Sequence, residues 1–140
     1  MSAPECSNPS DVAPPHKSYS HICSTTLIGG SRLLTFAGQI GVKTDSPDRE
    51  PAPTFREQVS IALMNVSKCL ATAGATRKDI VSVRQYIVNL LPMDPCRREL
   101  YEQWIGDHRP PSTVMGVVAL ADEKLLYEIE VMAVVHEQLA

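Results

Sequence analysis

Two carboxylates and two hydroxyls in the last third of the chain are of types that could do chemistry. Glu128 and Glu130 lie two apart in the β-like run Leu125 to Val135, and residues two apart in a strand point to the same face. Paired acids raise one another's proton affinity, which makes one of them a usable acid or base near neutral pH; the plain alternative is two acids facing solvent. Upstream, the stretch HRPPSTVMGVVAL runs from His108 to Leu120. Its Ser112-Thr113 step stands where a strand should begin, so hydroxyls and backbone N–H groups there can bind a carbonyl or stabilise a developing oxyanion.

Other chemistry is poorly supported. His16, His21, His108 and His136 have neither metal-ligand spacing nor a partnered Ser and Asp order, and read as surface histidines. Cys6, Cys23, Cys69 and Cys96 are widely scattered, without close pairs, so they read as reduced thiols, with Cys69 in a core. Gly29-Gly30 lacks the spacing of a phosphate loop, and the glycosylation-type triplet Asn65-Val-Ser67 falls inside a helical pattern. No cofactor and no metal is called for.

The elements that must position these residues follow from pattern. Ile22 to Ala37 reads as a hairpin turned at Gly29-Gly30-Ser31. Thr54-x-x-Glu57 is a capping box that opens a helix, and Phe55, Val59, Ala62, Leu63, Val66, Leu70 and Ala73 form its apolar stripe up to Gly74. The run from Asp79 to Val88 is rich in β-branched residues and reads as a central strand. Asp94-Pro95 starts a second helix carrying Cys96, Leu100 and Trp104, which Gly106 can end. Ser112 to Leu120 and Leu125 to Val135 then close the chain as two strands joined through Ala121 to Lys124, a hairpin-length connection. The order β-β, α, β, α, β-β predicts an α+β fold with both helices on one face of a mostly antiparallel sheet. Hydrophobic residues occupy both alternating sets in 79–88 and 112–119, so the other face should need cover by assembly.

A chain of 140 residues is one domain by length. Residues 1–18, rich in Pro and Ser, read as a flexible N-terminal tail and 19–140 as a single domain. The net charge of −3 gives no electrostatic reason to expect nucleic acid as a partner. There is no apolar run of membrane-spanning length either, so the expected location is the cytoplasm.

Element order and short motifs together resemble the Rid/YjgF family of small α+β proteins with a chorismate-mutase-like fold that assemble as homotrimers. The motifs are Tyr19-Ser-His21, Phe36-Ala-Gly-Gln-Ile-Gly41, Asn65, Ala73-Gly-Ala75, the Tyr86 strand, Tyr101, His108-Arg-Pro110, Tyr127-Glu-Ile-Glu130 and Met132-Ala133. The resemblance implies a small-molecule cleft between subunits and, in the deaminase branch, hydrolysis of reactive 2-imino or enamine acids. It implies that Glu130 helps position water and that Tyr19, Ala37, Gln39, Tyr86, Tyr101 and Met115 meet the substrate, with Ser112 and Thr113 at the catalytic strand start. In that branch an arginine of a Pro-x-Arg-[Ser/Thr] step clamps the substrate carboxylate, a task that suits its planar fork; here Pro110-Pro111-Ser112-Thr113 puts serine in its place. Ala37 likewise replaces a frequent serine. Arg98, one helical turn before Tyr101, is a substitute clamp or else a solvated helix residue. The expected function is therefore a divergent acid/base enzyme for a reactive imine, enamine or enol in specialised metabolism. The alternatives are a deaminase with another anion clamp and a non-catalytic binding trimer.

Overall fold

The computed structural model describes residues 3–93 and 95–136; the expected helix cap at Asp94 lies outside them. In chain order the strands are β1 (Glu5–Ser7), β2 (Ile22–Thr26), β3 (Arg32–Phe36) and β4 (Gln39–Ile40), followed by helix α1 (Phe55–Thr72). Strand β5 (Ile80–Val88), helix α2 (Pro95–Ile105), β6 (Ser112–Val117) and β7 (Tyr127–Val135) complete the fold. It is α+β, with two helices on one face of a single mixed sheet.

Helix α1 forms where the apolar stripe predicts. The Thr54 hydroxyl accepts a hydrogen bond from the Glu57 N–H at 3.2 Å, and the stripe of Val59, Ala62, Leu63, Val66 and Leu70 is buried in the core against the sheet. Helix α2 packs on α1, with the Trp104 indole N–H donating to Ser67 Oγ at 2.8 Å. Two buried amides on α1 tie down loops whose backbone groups would otherwise be stranded. Asn65 Nδ2 donates to the carbonyls of Ile40 and Val42 at 3.0 and 3.1 Å. Gln58 Nε2 donates to Ala52 and Lys124 carbonyls at 2.9 and 3.0 Å, while its oxygen accepts from the Leu126 N–H at 2.8 Å.

The sheet order is β1-β2-β3-β7-β5-β6, with β4 pairing the start of β7. This corrects the closing hairpin: β6 and β7 are not neighbours. β6 runs parallel to β5, a pairing that needs a crossover, which α2 supplies. β7 then inserts antiparallel between β3 and β5, because it has apolar side chains enough to be buried beside both: Tyr127, Ile129, Val131 and Ala133 are at 0–1% exposure.

The N-terminal segment also departs from expectation. It is no free tail: Glu5, Cys6 and Ser7 pair with Ser24, Cys23 and Ile22, and Val12 and Ala13 are buried. Val12 supplies apolar area at the edge of the core, which offsets the ordering cost of a proline-rich segment.

The sheet face away from the helices is less apolar than alternation suggested. It carries Arg84 and Tyr86 from β5 and Glu128, Glu130 and Met132 from β7, which alternate with the buried set. Among the described residues no helix is long and apolar enough to cross a membrane.

Gly41 marks the tightest approach between α1 and the strand layer: a Cβ there would sit 2.4 Å from Gln58 Cα and 2.6 Å from its Cβ. Backbone cannot yield as a flexible side chain does. Gly41→Ala should therefore destabilise the fold by roughly 2–4 kcal/mol in urea titration, and a loss under about 0.5 kcal/mol would show that α1 is free to move.

Candidate functional site

Three clusters of polar side chains emerge from this topology, and β7 takes part in each. The first lies on the uncovered sheet face. In register, Glu130 opposes Arg84 on β5, and Arg84 is beside Thr113 on β6. One step along, Glu128 opposes Tyr86, which is beside Met115. The Tyr86 hydroxyl donates to Glu130 Oε1 at 3.0 Å. Burial pushes the Tyr86 phenol up, as does its bond to the Glu130 carboxylate, while the nearby Arg84 guanidinium pulls the other way. Phenol, carboxylate, guanidinium and hydroxyl thus share one shelf.

The second cluster is a cavity of about 240 Å³ at the end of that shelf, lined among others by Tyr19, His21, Gln39, Arg49 and Glu128. Glu128 links the two, since it faces the cavity and also neighbours Glu130. Burial pushes its carboxyl up from the ordinary value, and the Glu130 charge adds to the effect. Its place depends on Gly38: a Cβ at 38 would lie 2.7 Å from Glu128 Cδ. The cavity floor is a buried amide and imidazole. His21 Nε2 meets the Ala13 carbonyl at 2.8 Å and must donate to it, so Nδ1 accepts from Gln39 Nε2 at 3.0 Å. Gln39 Nε2 also donates to the Ala37 carbonyl at 3.1 Å. His21, read from the sequence as a surface residue, is 5% exposed; its two partners make burial affordable. Arg49 donates to the Pro14 carbonyl from the rim, and it and Asp48 hold left-handed backbone angles (φ 55° and 51°), a strain that clusters at functional loops.

The third cluster lies on the helix side. Tyr127 donates to Gln85 Oε1 at 2.7 Å, and Gln85 Nε2 donates to Ser112 Oγ at 3.2 Å. The Tyr101 hydroxyl is buried near Ser112 without a hydrogen bond of ordinary geometry. Ser112 opposes Val83 in register and Thr113 opposes Arg84, so adjacent hydroxyls serve opposite faces.

The sequence-derived site is thus divided. Glu130, Thr113, Tyr86 and Met115 share the shelf; Tyr19 and Gln39 line the cavity, with Ala37 next to its floor. Ser112 and Tyr101 belong to the helix side. Arg98 is exposed, whereas Arg97 is half-buried, lines an apolar pocket with Phe55, Ile87 and Leu126, and bears on the Tyr101 and Tyr127 phenols. Arg97 lies four residues before Tyr101, on its face of α2. The cation that sequence reading missed on the shelf is Arg84; the signal was its two-residue offset from Tyr86 in one strand. Among the described residues no cluster of His, Cys, Asp and Glu could hold a metal.

Comparison with known proteins agrees with this architecture. Residues 11–135 match the endoribonuclease L-PSP family. The RutC family protein YjgH of Escherichia coli strain K12 is 29% identical over 127 residues, covering 88% of this chain and 91% of that protein. The Rid-family protein YyfA of Yersinia pestis superposes with a TM-score of 0.81 at 24% identity, over 95% of this chain and all of that one. The E. coli protein TdcF with bound serine superposes with a TM-score of 0.75 at 22% identity, covering 96% and 98%.

The raised Glu128 carboxyl makes a prediction with a definite sign. A carboxyl that binds its proton more tightly folded than unfolded costs stability as pH rises from the unfolded to the folded value, and the cost is complete above it. Glu128→Gln, which cannot ionise, should gain stability relative to the parent as pH rises above about 4, the ordinary carboxylate range, in urea titrations. A difference that stays constant with pH would mean that the Glu128 carboxyl is fully hydrated.

Proposed function

The chain belongs to the endoribonuclease L-PSP family, the Rid/YjgF proteins, and we propose that it is an acid/base enzyme for a small, anionic, reactive imine, enamine or enol, working in the cytoplasm at a cleft between copies of a homotrimer. The observation that carries this reading is the 3.0 Å bond from Tyr86 to Glu130 on a shelf that also holds Arg84 and Thr113. An uncovered sheet face that ends in a cavity is what neighbouring subunits would close, and closure would exclude water and strengthen each polar contact.

In hydrolysis of an imine, the Glu130 carboxylate accepts a proton from the water that attacks the imine carbon. Thr113 donates to the oxygen so formed. The carbon–nitrogen bond then breaks, the nitrogen leaves as ammonia with the transferred protons, and the carbonyl forms. Tyr86 holds Glu130 by its hydroxyl and, with Glu128 next to it, keeps a proton available. Arg84 takes the substrate's anionic group, the task left open by serine at 112. The serine bound to TdcF shares with such a substrate a small size and a carboxylate. Ribonucleic acid suits the site less well, because Glu128 and Glu130 repel a polyanion and the net charge is −3.

The test generates 2-iminopropionate in situ with an amino-acid oxidase and follows its capture by semicarbazide. The parent should suppress capture; Glu130→Gln should slow turnover about 100-fold or more, and Arg84→Ala should act mainly on KM, by about 10-fold or more. If Ser112→Arg alone suppresses capture, Arg84 is not the clamp and the natural substrate is another intermediate. A ligand that raises the melting temperature without being turned over would make the protein a binding trimer instead.

A further inference from the structure

One pair of groups stands apart from the shelf. Cys6 on β1 and Cys23 on β2 are directly opposed in register, and both are free thiols, Cys6 exposed and Cys23 half-buried. Interaction with the neighbouring Cys23 thiol, through hydrogen bonding and the cost of a second negative charge so close, pushes the Cys6 thiol up. Directly opposed residues of an antiparallel pair have Cα atoms about 4.5 to 5.5 Å apart, within the roughly 4.4 to 6.8 Å that a disulfide spans.

The loop that such a bond would close is what gives the pair a purpose. Val12, Ala13, His16, Tyr19 and His21, all lying between the two cysteines, make one wall of the 240 Å³ cavity against Gln39 and Glu128. Strand β1 anchors that loop at its near end through three residue pairs at the outermost edge of the sheet.

We propose that Cys6 and Cys23 are a redox modification site, a cross-strand thiol pair that a small-molecule disulfide converts to a reversible intramolecular disulfide fastening the cavity's N-terminal wall. The thiolate of one cysteine attacks the small disulfide and releases one small thiol. The second cysteine, as thiolate, attacks the mixed disulfide, forms the Cys6–Cys23 bond and releases the other small thiol. The protein loses two protons and two electrons, and the small disulfide gains both pairs. The elevated Cys6 thiol suits slow equilibration with a redox buffer over a fast response to peroxide.

The experiment incubates the reduced full-length protein with oxidised glutathione, blocks remaining thiols and digests with trypsin, which cuts at Lys17 between the two cysteines. The expected product is a linked pair of peptides carrying Cys6 and Cys23. It should bring a melting temperature raised by roughly 5–10 °C and slower amide exchange from residue 8 to 22, all reversed by reductant and absent in Cys6→Ser and in Cys23→Ser. Persistent glutathione adducts on Cys6, a disulfide joining two copies, or a linked pair with unchanged melting and exchange would each overturn the proposal. Because none of these readouts uses a substrate, the result is independent of the proposed catalysis.

Discussion

Between Tyr127 and Ala133 every second side chain of β7 is buried at or near completeness, and the acids Glu128 and Glu130 occupy the positions between. Because side chains alternate with a period of two, a slip of one residue would drive both carboxylates into the core and turn four core side chains out to water. Burying one unpaired carboxylate costs several kcal/mol, so the register of β7 is held far more firmly than its length suggests. The shelf, the cavity and the helix-side chain from Tyr127 through Gln85 to Ser112 are all consequences of that one fixed register. Paired on both sides, β7 transmits it to β3 and β5, and through β5 to Thr113 and Met115 on β6.

Around this strand the protein makes unusual use of amide side chains. Gln39, Gln58, Asn65 and Gln85 are all 3% exposed or less. Each spends its donors and acceptors on groups that sheet and helix ladders cannot reach: loop carbonyls, an imidazole nitrogen, a phenol and a serine at a strand entrance. His108 does similar work at the edge, meeting the Ile80 carbonyl at 2.7 Å and so fixing the approach to β6. Such bonds each add little net stability, but leaving one partner unmet costs about 1–3 kcal/mol, so together they specify where the irregular segments lie.

What could be read from the sequence divides along the range of the interactions. The stripe of α1, its Thr54 cap, the hairpin of β2 and β3 and the stops at Gly74 and Gly106 depend on neighbours a few residues away, and those neighbours are visible in a linear string. The pairing of β7 with β3 and β5 is a contest among distant strands, which the short connection from Ala121 to Lys124 misrepresented. The ordering of the first residues was equally hidden, because a Pro- and Ser-rich composition conceals a Val12 that the core happens to accept. At the site, residue types were legible but faces were not. Ser112 and Thr113 are adjacent in the sequence although a strand turns neighbours to opposite faces, and telling Arg98 from Arg97 requires the helix phase to within one residue.

Gly38 and Glu128 illustrate how a site of this kind can change over time. A Cβ at 38 would lie 2.7 Å from Glu128 Cδ, so a side chain at 38 requires the glutamate at 128 to swing aside, and the two positions constrain one another. A shorter side chain at 128 removes that conflict and frees position 38 to diversify. Lineages that alter the acid therefore acquire, in the same act, a new wall position from which to shape a different pocket.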